Sequence, residues 1–294
     1  MQIFLTGANG YIGGSVACAL IAAGHKIRGL VRSAAKADAV AAHGIDPVIG
    51  SLDDAALLQA EARAADAVIN AASSDHRGAV EALIAALAGS GKVFIHSSGS
   101  SIVADLAMGE PSDQIFDETT PLTPLADKAA RVAIDRLVLE APGIRSMVIC
   151  NSMIYGHTFG SPAQSVQIPA LVRQAKASGI VRFIGRGLNR WSNVHIADVA
   201  ALYVLAFAKA PPRTFMFVES GEEALGAIAN AIAAKLNLGA AQSWSADEAI
   251  AAWGRNMAVF SLGSNSRVRG KAAAALGWSP RHRSITRWIG EELT

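Results

Sequence analysis

Apolar residues in the first half of the chain fall into short continuous runs. Between the runs lie longer, Ala-rich stretches in which apolar residues recur every three or four positions. Gln2–Thr6, Lys26–Val31, Asp46–Ile49, Ala67–Asn70, Lys92–His96 and Ile144–Cys150 read as strands buried on both faces. Tyr11–Ala23, Ala34–Ala42, Asp54–Ala64, Arg77–Ala88 and Ala126–Glu140 read as helices. Gly24, Gly44, Gly89 and Gly91 sit where helices should end. Strand–helix alternation requires parallel neighbours joined by covering crossovers, so the expected fold is α/β: a Rossmann-type, doubly wound parallel sheet.

After Tyr155 the rhythm breaks. Residues 156–194 are rich in Gly, Ser, Pro and Arg, with one helix expected over Ile168–Ser178. Alternation returns with a strand at Trp191–Val194, a helix at Ile196–Lys209 and a strand at Thr214–Val218. Three or four further helices follow, the last over Ser284–Leu293. The expected organisation is a dinucleotide-binding domain over 1–155, rejoined by 191–218. Residues 156–190 and 219–294 then form a small, mostly helical substrate-binding cap.

The sharpest motif is Thr6–Gly13, a G-x-x-G-x-x-G string between the first strand and the first helix. Gly7 allows a tight exit from the strand, Gly10 allows close approach of a pyrophosphate, and Gly13 allows close helix–strand packing. The helix beginning near Tyr11 aims its free N–H groups and positive dipole end at the phosphates. An NAD site usually carries Asp or Glu about 20 residues on, to hold the ribose hydroxyls. Here the second strand ends in Arg32 and Ser33 with no acid. A guanidinium fork and a hydroxyl suit a 2′-phosphate, so the expected cofactor is NADP, with NAD as the alternative. A solvated surface role for Arg32 is the plain alternative reading.

Composition narrows the partners. The chain of 294 residues is 51% hydrophobic and 17% charged, with a formal net charge of +2. That supports a large core, and there is no clustered basic face of the kind nucleic acid needs. Cys18 and Cys150 are far apart, with no metal-ligand spacing, so neither a disulfide framework nor a metal site is expected. The longest apolar stretch, Val199–Ala208, is well short of the roughly 18 residues of a membrane span. The amino-terminal residues carry no basic region of the signal-peptide type. The expectation is a soluble, cytoplasmic protein acting on a small molecule.

Several segments, in order, carry a wider resemblance: Thr6–Gly13, Val68–Ala72, Phe94–Ser98, Asn151–Gly156, Trp191–Asp198 and Leu276–Pro280. The chain resembles the extended short-chain dehydrogenase/reductases, which include sugar-nucleotide epimerases and dehydratases, over nearly its whole length. The resemblance implies Leu52 against the adenine, Ala71 and Ala72 along the groove, and Asn151 and Met153 near the nicotinamide. Asn9, Tyr11, Ile12 and Ser97 complete the implied cofactor-binding set. A homodimer through the helices at Arg77–Ala88 and Ala126–Glu140 is also implied; the apolar stripe Val132, Leu137 and Val138 allows it, and fits core packing equally well.

The departures bear on chemistry. The family pair is Tyr-x-x-x-Lys on the helix after the fifth strand, where Lys lowers the Tyr pKa and holds the ribose. Asp127 and Arg131 stand in those places, and no tyrosine lies between Tyr11 and Tyr155. The family serine position falls on Gly99, flanked by Ser97, Ser98, Ser100 and Ser101. The position that usually carries an acid near the adenine is Ser51. This pattern resembles atypical extended members that keep the cofactor fold and lose the usual active-site residues.

Ser98, Ser100, Asp127 and Arg131 are therefore the candidate catalytic residues. Arg131 can bond a ribose but cannot release a proton. Asp127 and Arg131 are four apart, and the plain reading is a helix N-terminal acid favourable to the dipole, with an ion pair between the two. Lys128, about a hundred degrees round the helix from Asp127, is expected to face solvent. His195 and Asp198 read as architectural, and His96 as a core histidine. Asp75, His76, Tyr155 and His157 are weak substrate-site candidates. Arg182, Arg186, Arg190 and Trp191 form a cluster suited to an anionic or sugar-nucleotide substrate, or else a solvated face. Two functions fit: an atypical NADP-dependent oxidoreductase acting on a small carbonyl, alcohol or sugar-nucleotide-like substrate, or a catalytically silent NADP(H)-binding redox sensor. They differ in whether a closed apolar pocket covers the nicotinamide.

Overall fold

A computed structural model describes residues 1–294. The first half runs β1 (Gln2–Thr6), α1 (Tyr11–Ala22), β2 (Lys26–Val31), α2 (Ala34–Ala41), β3 (Asp46–Ile49), α3 (Ala55–Ala64), β4 (Ala67–Asn70) and α4 (Arg77–Leu87). It continues with β5 (Val93–Gly99), a 3₁₀ turn at Ser100–Val103, α5 (Ala126–Leu139) and β6 (Arg145–Asn151). Then come β7 (Met153–Tyr155), α6 (Gln167–Ser178), β8 (Arg182–Ile184), β9 (Arg190–His195), α7 (Ile196–Lys209) and β10 (Thr214–Val218). The last part holds β11 (Gly221–Ala224), α8 (Leu225–Lys235), β12 (Gln242–Trp244) and α9 (Ala246–Met257). A π-helical turn (Ala258–Leu262), α10 (Lys271–Ala275) and α11 (Ile285–Glu292) end it.

Seven parallel strands form the main sheet in the order β10-β6-β5-β4-β1-β2-β3. Side-chain alternation assigns each strand residue to one of two cores. Ile3, Leu5, Ile69, Ile95 and Ile149 pack under α1, α2 and α7. Phe4, Val68, Phe94 and Val148 pack under α3, α4 and α5 on the opposite face. Both faces are covered, which explains why these strands read as unbroken apolar runs rather than alternating ones. Strand order reverses between β1 and β4, and such a switch point leaves a crevice at the carboxyl ends of the strands.

The crevice depends on two backbone approaches. Gly7 has φ +75°, and a Cβ there would lie 2.8 Å from the Ala71 carbonyl oxygen and the Ala72 Cα. A Cβ on Gly13 would lie 2.2 Å from the Gly7 carbonyl oxygen. The first and third glycines thus let α1 and the loop after β4 close on the turn. Gly10 meets only the Gly7 oxygen, at 3.1 Å, so its bareness serves the open side of the turn.

The cap has its own core, built from Met153, Tyr155, Leu171, Trp191, Ile228 and Trp288 among others. Residues 191–218, expected to rejoin the first layer as a unit, are divided. β9 pairs with β7 and β11 in a separate three-stranded sheet, while α7 and β10 join the main sheet. β7, β8, β11 and β12 are three or four residues long, too short to carry a period. Glu222 on β11 accepts from Arg190, Arg267 and Arg269, tying β9 to the carboxyl-terminal segment. The stripe offered for a homodimer is used internally, since Val138 and Val132 are both buried within the chain. No helix is long and apolar enough to cross a membrane.

Gly13→Ala should lower stability by about 2 kcal/mol or more, because the new methyl must displace backbone. Gly290→Ala in α11, where a Cβ meets nothing within 4 Å, should be neutral or stabilising. Thermal unfolding of the two variants checks this, and equal melting temperatures would refute the packing role of Gly13.

Candidate functional site

Two cavities lie along the carboxyl ends of the strands. An outer one of ≈ 450 Å³ is lined by Gly7, Asn9, Gly10, Arg32, Ser51 and Leu52 among others. An inner one of ≈ 470 Å³ is lined by Tyr11, Ile12, Gly99, Ser101, Lys128, Arg131 and Asn151 and bordered on one side by cap residues. Gly10, Ala71 and Ala72 line both, so the two form one groove crossing the glycine turn. Arg32 stands at the outer end, exposed and without an ion-pair partner. Asp53, the nearest acid to Ser51, is held by His76 Nε2 at 3.0 Å. Ser33 is the residue before α2; its hydroxyl makes no cap bond and does not line the cavity.

The inner cavity is shaped by α5. Lys128, Val132, Asp135 and Val138 are its buried stripe, with Arg131 beside it. Asp127 is displaced from this stripe: its side chain is 52% exposed and lies 4.0 Å from Arg255. It neither lines the cavity nor pairs with Arg131, against the general-base and ion-pair readings. It does stand as an acid in the first turn of α5, where it favours the helix dipole. Arg131 instead forms a two-pronged pair with Asp75, with Nε 2.8 Å from Oδ1, and donates from Nη1 to Ser101 Oγ at 3.0 Å. The guanidinium occupies the space that Gly99 leaves bare, 3.5 Å from where a Cβ would stand. Lys128, expected in solvent, is buried against the cavity. Its Nζ donates to Asn256 Oδ1 at 3.2 Å and lies 4.7 Å from the Phe260 ring centre. The apolar spacing carried this signal: Lys128 lies four residues before Val132 and seven before Asp135, so all three share one face.

The serine run divides by direction. Ser97 bonds the Tyr203 hydroxyl at 2.6 Å and faces the α7 side of the sheet, away from the groove. Ser98 donates to Asp135 Oδ2 at 2.8 Å. Ser266 Oγ donates to the Ser100 carbonyl, so Ser100 Oγ donates to Ser266 Oγ. Ser98, Ser100 and Ser101 all border the cavity, but the first two hydroxyls donate within the protein, and Ser101 is the one of the three whose hydrogen is not committed. Met153 is buried in the cap core; Asn151, Ser152 and Ile154 line the cavity in its place. The amide oxygen of Asn151 is buried and has no partner.

Beneath the groove runs a buried polar chain. Thr6 Oγ1 donates to Asn70 Oδ1 at 2.6 Å, and Asn70 Nδ2 faces His96 Nδ1 at 3.0 Å. The amide nitrogen must donate, so the neutral ring carries its proton on Nε2, 3.7 Å from Asp135 Oδ1. Burial pushes His96 down to about 4 and the Asp135 carboxyl up to about 7, the latter against the Ser98 bond and the Arg131 charge. In the cap, His195 Nδ1 caps α7 through Ala197 N–H, and the ring stacks on His282 at 3.9 Å. Asp198 accepts from His282 and from the backbone of Arg281, in agreement with an architectural role.

This fold recurs in known proteins. The profile of the "NAD dependent epimerase/dehydratase family" matches residues 3–216. The chain belongs to that family. An oxidase, ucsJ, of an Acremonium species is 33% identical across 95% of this chain and 92% of its own. A 4-hydroxy-2-methyl-3-oxo-4-farnesyl-3,4-dihydroquinoline-1-oxide ketoreductase of Stigmatella aurantiaca is 28% identical across 75% of this chain and 69% of its own. In fold, the dTDP-glucose 4,6-dehydratase of Bacillus anthracis, solved with NAD, superposes with TM-score 0.78 at 16% identity. That match covers 100% of this chain and 95% of the other.

Within this epimerase/dehydratase fold, the arginines offered as a nucleotide clamp are scattered. Arg182 bonds Gln242 and lies against Trp244, Arg186 lies 3.5 Å from Glu110, and Arg190 is held by Glu222. Of that cluster only Trp191 lines the inner cavity.

The raised Asp135 carboxyl sets a pH dependence with a definite sign. An unfolded Asp titrates near 3.9, so the folded protein keeps a proton that the unfolded chain has lost. That contribution to stability is complete below the unfolded value and is lost as pH rises through about 7. Asp135→Asn lacks the loss. Its stability relative to the parent should rise by on the order of 2 kcal/mol between pH 5 and 8. Denaturant melts across that range measure it, and a constant difference would mean an ordinary carboxylate.

Proposed function

We propose that this chain is an NADP-dependent oxidoreductase that reduces a small carbonyl compound, or oxidises the matching alcohol, without the tyrosine usual in its family. The observation that carries the reading is an inner cavity of ≈ 470 Å³ continuous with the glycine groove. Val166, Trp191, Met257 and Phe260 line its cap side, and its mouth stays open to solvent. A redox sensor needs no second, partly apolar cavity beyond the cofactor groove, whereas a reductase needs one to seat its substrate.

The groove fits the cofactor on three observations. The turn at Gly7–Gly13 has no side chain to obstruct a pyrophosphate, Arg32 is an unpaired guanidinium beside the outer cavity, and Asn151 Oδ1 is an unpartnered acceptor. Gly10 and the first N–H groups of α1 would hold the phosphates, Arg32 the 2′-phosphate, and Asn151 the carboxamide. Bound in reduced form, the dinucleotide supplies the hydride. Ser101 then orients the substrate: Arg131 donates to its oxygen, leaving the hydroxyl hydrogen free to point at a carbonyl oxygen.

Substrate class follows from what the chamber lacks. Arg182, Arg186 and Arg190 are bound elsewhere, so none of these three offers a fork to a diphosphate. That favours a small uncharged ketone or aldehyde over a sugar nucleotide. One relative is named an oxidase and another a ketoreductase, which agrees with carbonyl–alcohol chemistry. Two free thiols, Cys18 and Cys150, suit a cytoplasmic setting.

Arg32→Ala should weaken NADPH binding by roughly 10- to 100-fold and leave NADH binding unchanged, the size of a charge-assisted phosphate contact. Fluorescence titration with both cofactors decides it; an unchanged NADPH/NADH ratio would remove Arg32 from 2′-phosphate recognition. Ser101→Ala should lower kcat about 10- to 100-fold with NADPH affinity intact, and full activity would refute its orienting role.

A further inference from the structure

Arg131 and Lys128 both reach the inner cavity from α5, but only one of them has a counter-ion. Arg131 is paired with Asp75. Lys128 is 6% exposed, and no carboxylate lies within ion-pair distance of its Nζ. An ammonium has three N–H donors, and Asn256 Oδ1 takes one. The Phe260 ring offers a second, weaker partner from the cap side. A buried charge held by an amide and a ring, and open to a cavity on its remaining side, is poised toward whatever fills that cavity.

The reaction proposed above also needs a proton. A hydride added to a carbonyl carbon leaves an alkoxide oxygen, and the groups around the chamber differ in what they can give. Arg131 does not release a proton, and Ser101 donates a hydrogen bond without a net proton. The Tyr11 hydroxyl is committed to the Gly156 carbonyl at 2.8 Å, and burial raises its pKa. Asp135 lies behind Ser98 and reaches the cavity only through it.

We propose that Lys128 is the general acid of this chain, its Nζ passing a proton to the substrate carbonyl oxygen as the carbonyl carbon accepts hydride from the reduced nicotinamide. This rests on the functional reading above. The C=O π pair becomes the new O–H bond, the C–H bond forms from the hydride, and NADP⁺ remains. Lys128 is left neutral and regains its proton from water. In the direction of alcohol oxidation the neutral amine takes the proton instead.

The surroundings tune the ammonium for this. Burial first, and then the Arg131 charge, push Lys128 below the usual lysine range; Asp75 and Asp127 oppose that weakly. Arg255 shares the Phe260 ring, at 5.4 Å from its centre. An acid must be protonated, so reduction should decline as pH rises through the Lys128 pKa, while oxidation should improve.

The test combines a readout without turnover and one with it. In the cofactor-free protein, acetylation by acetic anhydride across pH, followed by mass spectrometry, should show Lys128 reacting at lower pH than the exposed Lys26 and Lys209. With NADPH and p-nitrobenzaldehyde or ethyl acetoacetate, Lys128→Met should lose roughly 100-fold or more in kcat and retain NADPH affinity. It should also lose the alkaline fall in rate. Lys128→Arg keeps the charge without a releasable proton, so it should be as inactive as the Met variant. Wild-type kcat in either variant, or labelling in step with Lys26, overturns the proposal while leaving the oxidoreductase reading in place. A parent protein that binds NADPH but reduces neither compound overturns both.

Discussion

The bond from Ser98 on β5 to Asp135 on α5 fixes the rotation of a helix on which the whole inner cavity depends. Asp135 is buried at the sheet, and a helix advances about a hundred degrees per residue. Once that carboxyl is seated, Lys128 two turns earlier must lie on nearly the same line. Arg131 falls to one side of it and Asp127 to the edge. The Asp75 pair and the Ser101 bond follow from where Arg131 then stands. A buried carboxyl is costly to keep, and here its bond sets the azimuth of the cavity-lining end of the helix.

The main sheet was legible because its physics is local. A strand covered on both faces must be apolar throughout, and each crossover must be amphipathic, so β1 to β6 and their helices announce themselves. The glycine turn was legible for a similar reason: Gly7 and Gly13 are demanded by backbone contacts that admit no Cβ. The cap was less so. β8 and β12 find each other across fifty-odd residues of intervening chain, and neither is long enough to show a period. Arg182, Arg186 and Arg190 are near in sequence, yet each is claimed by a different partner. Proximity along an irregular segment carries little information about direction.

The site itself was half legible. Absence of a tyrosine is a sequence fact, and it directed attention to Asp127 and Arg131 by position. Position was the wrong guide for Asp127, because burial of the helix stripe, not alignment with a motif, decides what faces the groove. Among the serines, two hydroxyls are consumed by tertiary partners, Asp135 and Ser266, that no local pattern announces. Their neighbour Ser101 accepts instead from Arg131, whose guanidinium enters the space beside Gly99. The loss of a side chain at one position and the gain of a larger cation at another are thus one change in shape.

Asn256 and Phe260 follow Gly254, where the φ of +76° breaks α9 and turns the chain into the π-helical segment above the groove. Both groups that seat the Lys128 ammonium therefore belong to the cap, while the lysine belongs to the sheet layer. Its basicity is then a property of neither half alone. If the cap withdrew far enough to admit a layer of water, the amine would be rehydrated and return toward an ordinary lysine. Proton affinity and cap position are thermodynamically linked: whatever draws the cap down makes the amine release its proton more readily, and protonation resists closure by the same free energy.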